Sequence, residues 1–269
     1  MLWGTLLHAK LHVIASVLPE QVFVQAIGGE HTAVSLMVKP GNSPHTYEPK
    51  PSQMKAISQA DLYLSIGVEY ESVWLPKFKN LNNTMQITDI SKGIEKLPVV
   101  GHDAHIEEHL DPHIWTSPEN VKLLARNILA ALVRADPAHK AYYQKHYHIF
   151  IQKIKQTDNQ IKEILANLPK EQKSFIVFHP SWGYFAKAYG LIQIPIEIAG
   201  KAPKPRAVQE LITEARKLHI HTILTSPEFS DSTAKQIASE LHIRVLKISP
   251  LDARWSENLI ALAKAIAAD

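Results

Sequence analysis

Cysteine is absent from the 269 residues of the chain. Its absence excludes disulfide bonds and thiolate metal ligands, so any transition-metal site must use nitrogen and oxygen donors. No apolar run approaches the roughly 20 residues that a membrane-spanning helix needs. The formal net charge is only +3, and no stripe of lysine and arginine with interleaved aromatic residues is present, so nucleic acid is not an expected partner. Hydrophobic residues make up 45% and charged residues 20%, which is typical of a globular protein with one large domain or two lobes.

The N-terminal residues, from Met1 to Ala9, form a short apolar stretch that ends in a small residue. This stretch is similar to the end of the apolar region of a signal peptide that is cleaved after Ala9. It predicts an exported protein. An ordinary N-terminal extension is the alternative, because the basic start of a complete signal peptide is not seen.

Short apolar runs bounded by Gly, Pro and Asn alternate with helix-like segments in both halves of the chain. Because strands separated by helices form βαβ units, this alternation predicts parallel sheets. Each half carries four such runs, so we expect an α/β fold with two Rossmann-like lobes, each with a mainly parallel four-stranded sheet. The predicted strands are Lys10–Ser16, Thr32–Val38, Leu62–Ile66, Met85–Ile90, Ser174–Phe178, Leu191–Ile196, Thr222–Thr225 and Ile243–Ile248.

A segment without Gly or Pro continues from Asp136-Pro137 to Leu168. Some 30 residues of α-helix span about 45 Å, which is long for a globular helix. We interpret residues 137–168 as a strut that joins an N-terminal lobe, residues 10–136, to a C-terminal lobe, residues 169–269. A long edge helix of a single domain is the alternative.

Three of the fifteen histidines stand directly beside a proline in a predicted loop: His45, His113 and His179. Proline fixes its own φ and restricts the residue before it, which stiffens a loop that carries a ligand. His45 and His179 follow strands, and ligands of open α/β sheets bind beyond the carboxyl ends of strands. All three side chains can therefore reach one cleft, where imidazole nitrogen suits zinc, copper, iron or nickel. A carboxylate or a water molecule is expected to complete the shell.

A second group of histidines, His102, His105 and His109, lies among acidic residues just before His113. Such a segment buries little apolar surface and is expected to be mobile. Histidine-rich tracts often bind metal weakly, so we predict an accessory metal loop. A solvated loop without a chemical role is the alternative.

The surroundings of the three loop histidines resemble a known family. Pro-His45-Thr-Tyr-Glu-Pro, Asp-Pro-His113-Ile-Trp and Phe-His179-Pro-Ser-Trp-Gly-Tyr-Phe are similar to the metal-binding motifs of the zinc and manganese solute-binding proteins of ABC importers, the ZnuA-like cluster A-I group. The resemblance extends over nearly the whole chain from Lys10. It implies two α/β lobes joined by a long helix, a metal ion in the cleft between them, export to the periplasm and a membrane permease as partner. We expect a free periplasmic monomer, since no cysteine is present for lipid attachment.

The resemblance assigns His45, His113 and His179 as metal ligands. Zinc members resemble this chain in having histidine at the third position, where manganese members usually have glutamate. Because manganese prefers oxygen donors and imidazole favours zinc, the resemblance implies a high-affinity receptor for Zn²⁺ as transported ligand. A receptor for manganese, iron or nickel in the same family is the alternative.

The fourth ligand departs from the family pattern. Many members carry Asp-Pro-Leu-Gly after the last strand, whereas this chain has Ser249-Pro-Leu-Asp252. We predict that Asp252 binds the ion from the same loop. The alternatives are that Asp252 caps the helix at Trp255, and that water or Glu48 completes the shell.

A zinc hydrolase is the rival class of function, because three histidines and a water molecule also form catalytic zinc sites. Glu48 would then be the general base. The sequence has no His-Glu-x-x-His helix, Gly-x-Ser-x-Gly elbow, Walker loop or Gly-x-Gly-x-x-Gly run. We therefore predict that the protein is not an enzyme. A surface adhesin with a purely structural metal is a further alternative.

Overall fold

A computed structural model of the protein describes residues 9–99, 110–169, 172–197 and 203–268. The strands are β1 Leu11–Ala15, β2 Thr32–Leu36, β3 Leu62–Ser65, β4 Gln86–Asp89, β5 Ser174–Val177, β6 Ile192–Pro195, β7 Thr222–Thr225 and β8 Arg244–Lys247. The α-helices are α1 Leu18–Gly28, α2 Pro51–Ser58, α3 Glu69–Leu81, α4 Pro118–Ala135, α5 Lys140–Leu165, α6 Gly183–Tyr189, α7 Pro205–Lys217, α8 Ser232–Leu241 and α9 Trp255–Ala267.

The strands form two four-stranded parallel sheets with the same internal order. The first sheet runs β2-β1-β3-β4 and the second β6-β5-β7-β8, so the earliest strand of each sheet lies between the second and third. All pairs are parallel, with Val13 of β1 opposite Val34 on one side and Leu62 on the other. The central strands β3 and β5 are buried along their whole length, as expected of apolar strands covered on both faces. The predicted α/β fold with two parallel four-stranded sheets is confirmed.

The long helix α5 contains 26 residues, which corresponds to a length of about 39 Å. Its start lies later than predicted, because residues 137–139 form a 3-10 turn before the α-helix begins. The helix packs against α1, α4 and α9, and it buries Phe150, Ile154 and Ile161. The C-terminal helix α9 also reaches the N-terminal half, where the rings of Trp255 and Phe23 meet edge to face with centroids 5.5 Å apart. Division of the chain at residues 136 and 168 remains a prediction.

One helix, α3, was not predicted. It carries Pro76 in its interior, which removes a backbone donor and normally ends a helix. Burial of Tyr70 and Phe78 against the sheet holds the segment helical nonetheless. Among the described helices, none is both long and apolar enough to cross a membrane.

Each sheet reverses its winding direction next to its earliest strand. Crevices at such points, beyond the carboxyl ends of the strands, are the usual ligand sites of open α/β sheets. In this chain the crevices lie between β1 and β3 and between β5 and β7. Loops beyond the carboxyl ends of the strands carry side chains of the candidate site.

Candidate metal centre

The three loop histidines come together between the two sheets. His45 lies in a short 3-10 turn after β2, His113 directly precedes the turn that leads into α4, and His179 follows β5. One ring nitrogen of each lies within 4.8 Å of the others. In the described part of the chain, no other group of three or more His, Asp or Glu side chains meets this condition. We expected from the sequence that these three side chains reach one cleft, and in the structure they lie together.

Each imidazole contacts a carboxylate oxygen through its Nδ1 atom. The Nδ1 atoms contact Glu69 Oε1 at 2.7 Å for His45 and Asp111 Oδ1 at 2.7 Å for His113. For His179 the partner is Glu197 Oε2, at 2.8 Å. A carboxylate accepts the Nδ1 proton, so the Nε2 lone pair is left free for a metal ion. The three partners also lower the cost of bringing a dication into the cleft.

The spacing of the free nitrogens suits a small cation. The Nε2 atoms of His45 and His179 are 3.0 Å apart. With both protons on Nδ1, these two nitrogens face each other as acceptors and cannot bond to one another. Two nitrogens of a tetrahedral zinc shell, with bonds of about 2.0–2.1 Å, lie about 3.3 Å apart. An ion between the rings therefore relieves the contact with little movement.

The electrostatics keep the third imidazole neutral. Burial lowers the pKa of His179, and this effect exceeds the opposing influence of the Glu197 hydrogen bond. Burial alone would raise the pKa of Glu69, but its hydrogen bond and electrostatic interaction with His45 bring this pKa below its usual range. Phe229 stacks on the His179 ring, with centroids 4.6 Å apart and planes inclined by 24°. His179 is thus neutral, oriented and covered on one face.

Asp111, the partner of His113, is packed tightly against the first turn of α6. It is 2% exposed, and its Oδ1 also accepts the backbone N–H of His113 at 2.9 Å. A Cβ atom at Gly183 would come within 2.7 Å of Asp111 Oδ2, so a larger residue at this position would displace the Asp111 carboxylate. The Tyr184 hydroxyl donates to the Asp111 carbonyl at 2.9 Å. The Gly-Tyr pair of the third motif therefore positions the second histidine from the opposite half of the chain.

The segment of His113 is also tied to the C-terminal loops. The Trp115 indole N–H donates to the carbonyl of Pro250 at 2.8 Å, and the Trp255 indole N–H donates to the carbonyl of Trp115 at 2.8 Å. All three residues are buried. The Ile-Trp of the second motif thus anchors the centre across the cleft.

Asp252 does not join the histidines. Its Oδ1 accepts the backbone N–H of Arg254 at 2.7 Å, and the Arg254 guanidinium contacts both carboxylate oxygens. The side-chain hydrogen bond from Arg254 lowers the pKa of Asp252. Asp252 does not line the small cavity in front of the three rings, and neither does the exposed Glu48. Ligation by Asp252 remains a prediction.

Some predicted features lie outside the described residues. These are the accessory histidines His102, His105 and His109 and the N-terminal stretch up to residue 8. Their proposed roles remain predictions.

The sequence reasoning missed four acidic residues around the centre. Asp111 stands two positions before His113, and the other three, Glu69, Glu197 and Glu228, each follow a strand, β3, β6 and β7 respectively. Glu228 lines the same small cavity as the three rings. The signal that was available is an acidic residue just past the carboxyl end of a predicted strand, where side chains of separate loops converge.

Comparison with known proteins gives the family. The family model described as zinc-uptake complex component A periplasmic matches residues 13–268. The chain belongs to this family. Zinc-uptake component A proteins are metal-binding solute-binding proteins of ABC importers, not enzymes, which confirms the resemblance and the expected class of function.

Individual members of the zinc-uptake component A family are similar over most of the chain. The high-affinity zinc uptake system protein ZnuA of Bacillus subtilis (strain 168) is 31% identical over 262 residues, covering 90% of this chain and 79% of that protein. The iron-binding protein YfeA of Yersinia pestis is 30% identical over 234 residues, 86% of this chain and 74% of that protein. A crystal structure of ZnuA matches with a TM-score of 0.89 and 38% identity, covering 96% of this chain and 98% of that one. The names of the relatives include zinc, iron and manganese proteins, so membership indicates a divalent metal without choosing among the three.

Proposed function

We propose that this protein captures Zn²⁺ between its two halves and delivers it to the membrane permease of an ABC importer. The observation that carries the proposal is the convergence of three imidazoles whose Nδ1 atoms are each held by a carboxylate. This arrangement presents three preoriented Nε2 lone pairs to one point. Preorientation lowers the entropy cost of binding, because the rings need little reordering.

The donor set favours zinc over manganese. Three neutral nitrogens suit zinc, whereas manganese prefers oxygen, and zinc stands above manganese and iron in general affinity for such sites. The ligand loops contain His179 where an oxygen donor would favour manganese. The similarity to ZnuA proteins supports the same choice. Iron, manganese or nickel is the second candidate cargo, and iron is supported by the similarity to YfeA.

Release follows from how the ligands are distributed. His45 and His113 precede α5, and His179 follows it, so the shell is split two to one across the long helix. A small tilt of one half against the other would separate His45 from His179 and leave an incomplete shell that binds the ion weakly. A continuous helix permits such tilting rather than a wide hinge opening. Docking to the permease is the step that would impose the tilt.

Export, and action in the periplasm as a monomer, are part of the proposal. The periplasmic name of the family supports this location. Relatives include proteins named as substrate-binding lipoproteins.

Competitive titration tests the choice of metal. Metal-free protein is titrated with zinc against a chromophoric chelator, and the zinc-loaded protein is then challenged with manganese and with iron(II). We expect a single tightly bound zinc ion that neither competitor displaces at equal concentration. Displacement of zinc by manganese at equal concentration would contradict the proposal. Zinc-dependent ester hydrolysis that is lost in Glu48→Ala would instead support an enzyme.

A further inference from the structure

The proposed zinc centre has three nitrogen donors, and zinc sites normally have four ligands. The carboxylates of Glu69, Asp111 and Glu197 are turned towards Nδ1 atoms and serve the rings rather than the ion. The fourth ligand must therefore come from another side chain or from water. The residues that line the cavity at the three histidines show which side chain could be this ligand.

The small cavity at the three histidines has one acidic side chain in its wall. In the described part of the chain, the remaining lining residues are Pro44, Phe229, Pro250 and Leu251, whose side chains carry no metal donor. The acidic residue is Glu228. It lies in the loop after β7, the neighbour of the β5 strand that precedes His179. Both loops thus border the crevice at which the second sheet reverses direction.

The two oxygens of Glu228 differ in their surroundings. Oε1 accepts the hydroxyl of Ser249 at 2.8 Å. Oε2 is buried and has no hydrogen-bond partner among the described residues. A buried carboxylate oxygen without a partner is unfavourable, because it has lost water and gained nothing in exchange. A cation in the cavity would supply the missing interaction.

Neighbouring residues hold this loop against the centre. Phe229, the next residue, stacks on the His179 ring. Ser249, which orients Oε1, is fixed through its hydroxyl by the N–H of Leu251 at 3.0 Å and through its carbonyl by the Asn258 amide at 2.7 Å. The serine that replaces aspartate in the family motif therefore positions a glutamate from the adjacent loop.

We propose that Glu228 is the fourth ligand of the metal ion, binding through Oε2 beside His45, His113 and His179. This inference rests on the proposed function, and it favours Glu228 over Asp252, whose carboxylate is engaged by Arg254. The Glu228 oxygens are not part of the group whose ligand atoms all lie within 4.8 Å. The side chain therefore turns towards the ion on binding. It contributes a negative charge that three neutral imidazoles lack.

Zinc affinity of charge-removing variants tests the assignment. Zinc is titrated against a chromophoric chelator into the full-length wild-type protein, Glu228→Gln, Asp252→Asn and the control Glu210→Gln, whose carboxylate pairs with Arg206 on the exposed surface of α7. We expect Glu228→Gln to weaken zinc binding by about tenfold or more, Asp252→Asn to weaken it less, and Glu210→Gln to leave it unchanged. The visible spectrum of bound cobalt(II) should change in Glu228→Gln and stay like wild type in Asp252→Asn.

The outcomes separate the ligand assignment from the proposed function. Wild-type zinc affinity and an unchanged cobalt spectrum in Glu228→Gln would overturn the assignment, and so would a larger loss in Asp252→Asn. Both results leave the receptor function standing, provided that the wild-type protein binds zinc tightly. If Glu228→Gln does not fold, Glu228→Asp takes its place, because it keeps the charge but shortens the reach. Its zinc affinity should then be below that of wild type, and an affinity equal to wild type with an unchanged cobalt spectrum would contradict ligation.

Discussion

Glu197 contacts the His179 ring rather than the ion, yet removal of its carboxylate is expected to weaken zinc binding. Glu197 and His179 are 9% and 14% exposed at their side chains, and Glu197 accepts the Nδ1 proton at 2.8 Å. Loss of such an outer partner typically reduces metal affinity by about 10- to 100-fold, which is about 1.4–2.7 kcal/mol. Glu197→Gln keeps an acceptor oxygen and loses the charge, so it should lie near the lower figure. Glu197→Ala leaves the Nδ1 proton unpaired and the ring free to turn, so it should lie near the upper figure.

Chelator competition at neutral pH measures this series, with the exposed Glu210→Gln as the matched control. A second readout is the pH dependence of zinc binding. Because the Glu197 hydrogen bond raises the pKa of His179, its removal should lower that pKa and shift the acid limit of zinc binding to lower pH. A purely structural role would not move this limit. Wild-type affinity in both variants would refute the idea that the carboxylates orient the ligands.

Four further predictions concern metal binding and the pH dependence of stability. His179→Ala should weaken zinc binding by more than the roughly 100-fold upper figure for outer partners, whereas His105→Ala should have little effect; similar losses in chelator competition would contradict separate roles. Wild-type zinc affinity should decrease as the pH falls from about 7 to about 5, because the ligand imidazoles must be neutral to bind the ion; a constant affinity over this range would argue against histidine ligands. Gly183→Ala should reduce zinc affinity about tenfold by displacing Asp111, and an unchanged affinity would mean that Asp111 does not position His113. Burial raises the pKa of Glu71 to about 7 from 4.5; between these values the folded protein keeps a proton that the unfolded chain has lost, so stability should fall by about 3 kcal/mol as pH rises through this window. Urea unfolding of the metal-free protein should show that Glu71→Gln lacks this part of the pH dependence, and identical profiles would refute it.

The central strands were the most predictable, because they are short apolar runs that the fold buries. β3 and β5 are buried at every position, and turn residues mark their ends. Parallel pairing follows from the intervening helices. The helix α3 was missed because Pro76 normally ends a helix, and only burial of its Tyr70 and Phe78 face compensates. That packing is a tertiary effect that local sequence does not show.

The three imidazoles were predictable because motif residues surround each of them. Their carboxylate partners were harder to predict, because Glu69 lies 24 residues from His45 and Glu197 lies 18 residues from His179. These pairs form only when loops from different strands meet at one edge. Asp252, in contrast, has a partner close in sequence. Arg254, two residues along the chain, binds its carboxylate.

An anomalous-difference map of the zinc-bound protein at the zinc absorption edge tests the central claim most directly. The account predicts one strong peak between the two halves, about 2.0–2.1 Å from Nε2 of His45, His113 and His179, with Glu228 as the fourth ligand. A peak bound elsewhere, or one that lacks any of the three imidazoles, would contradict it.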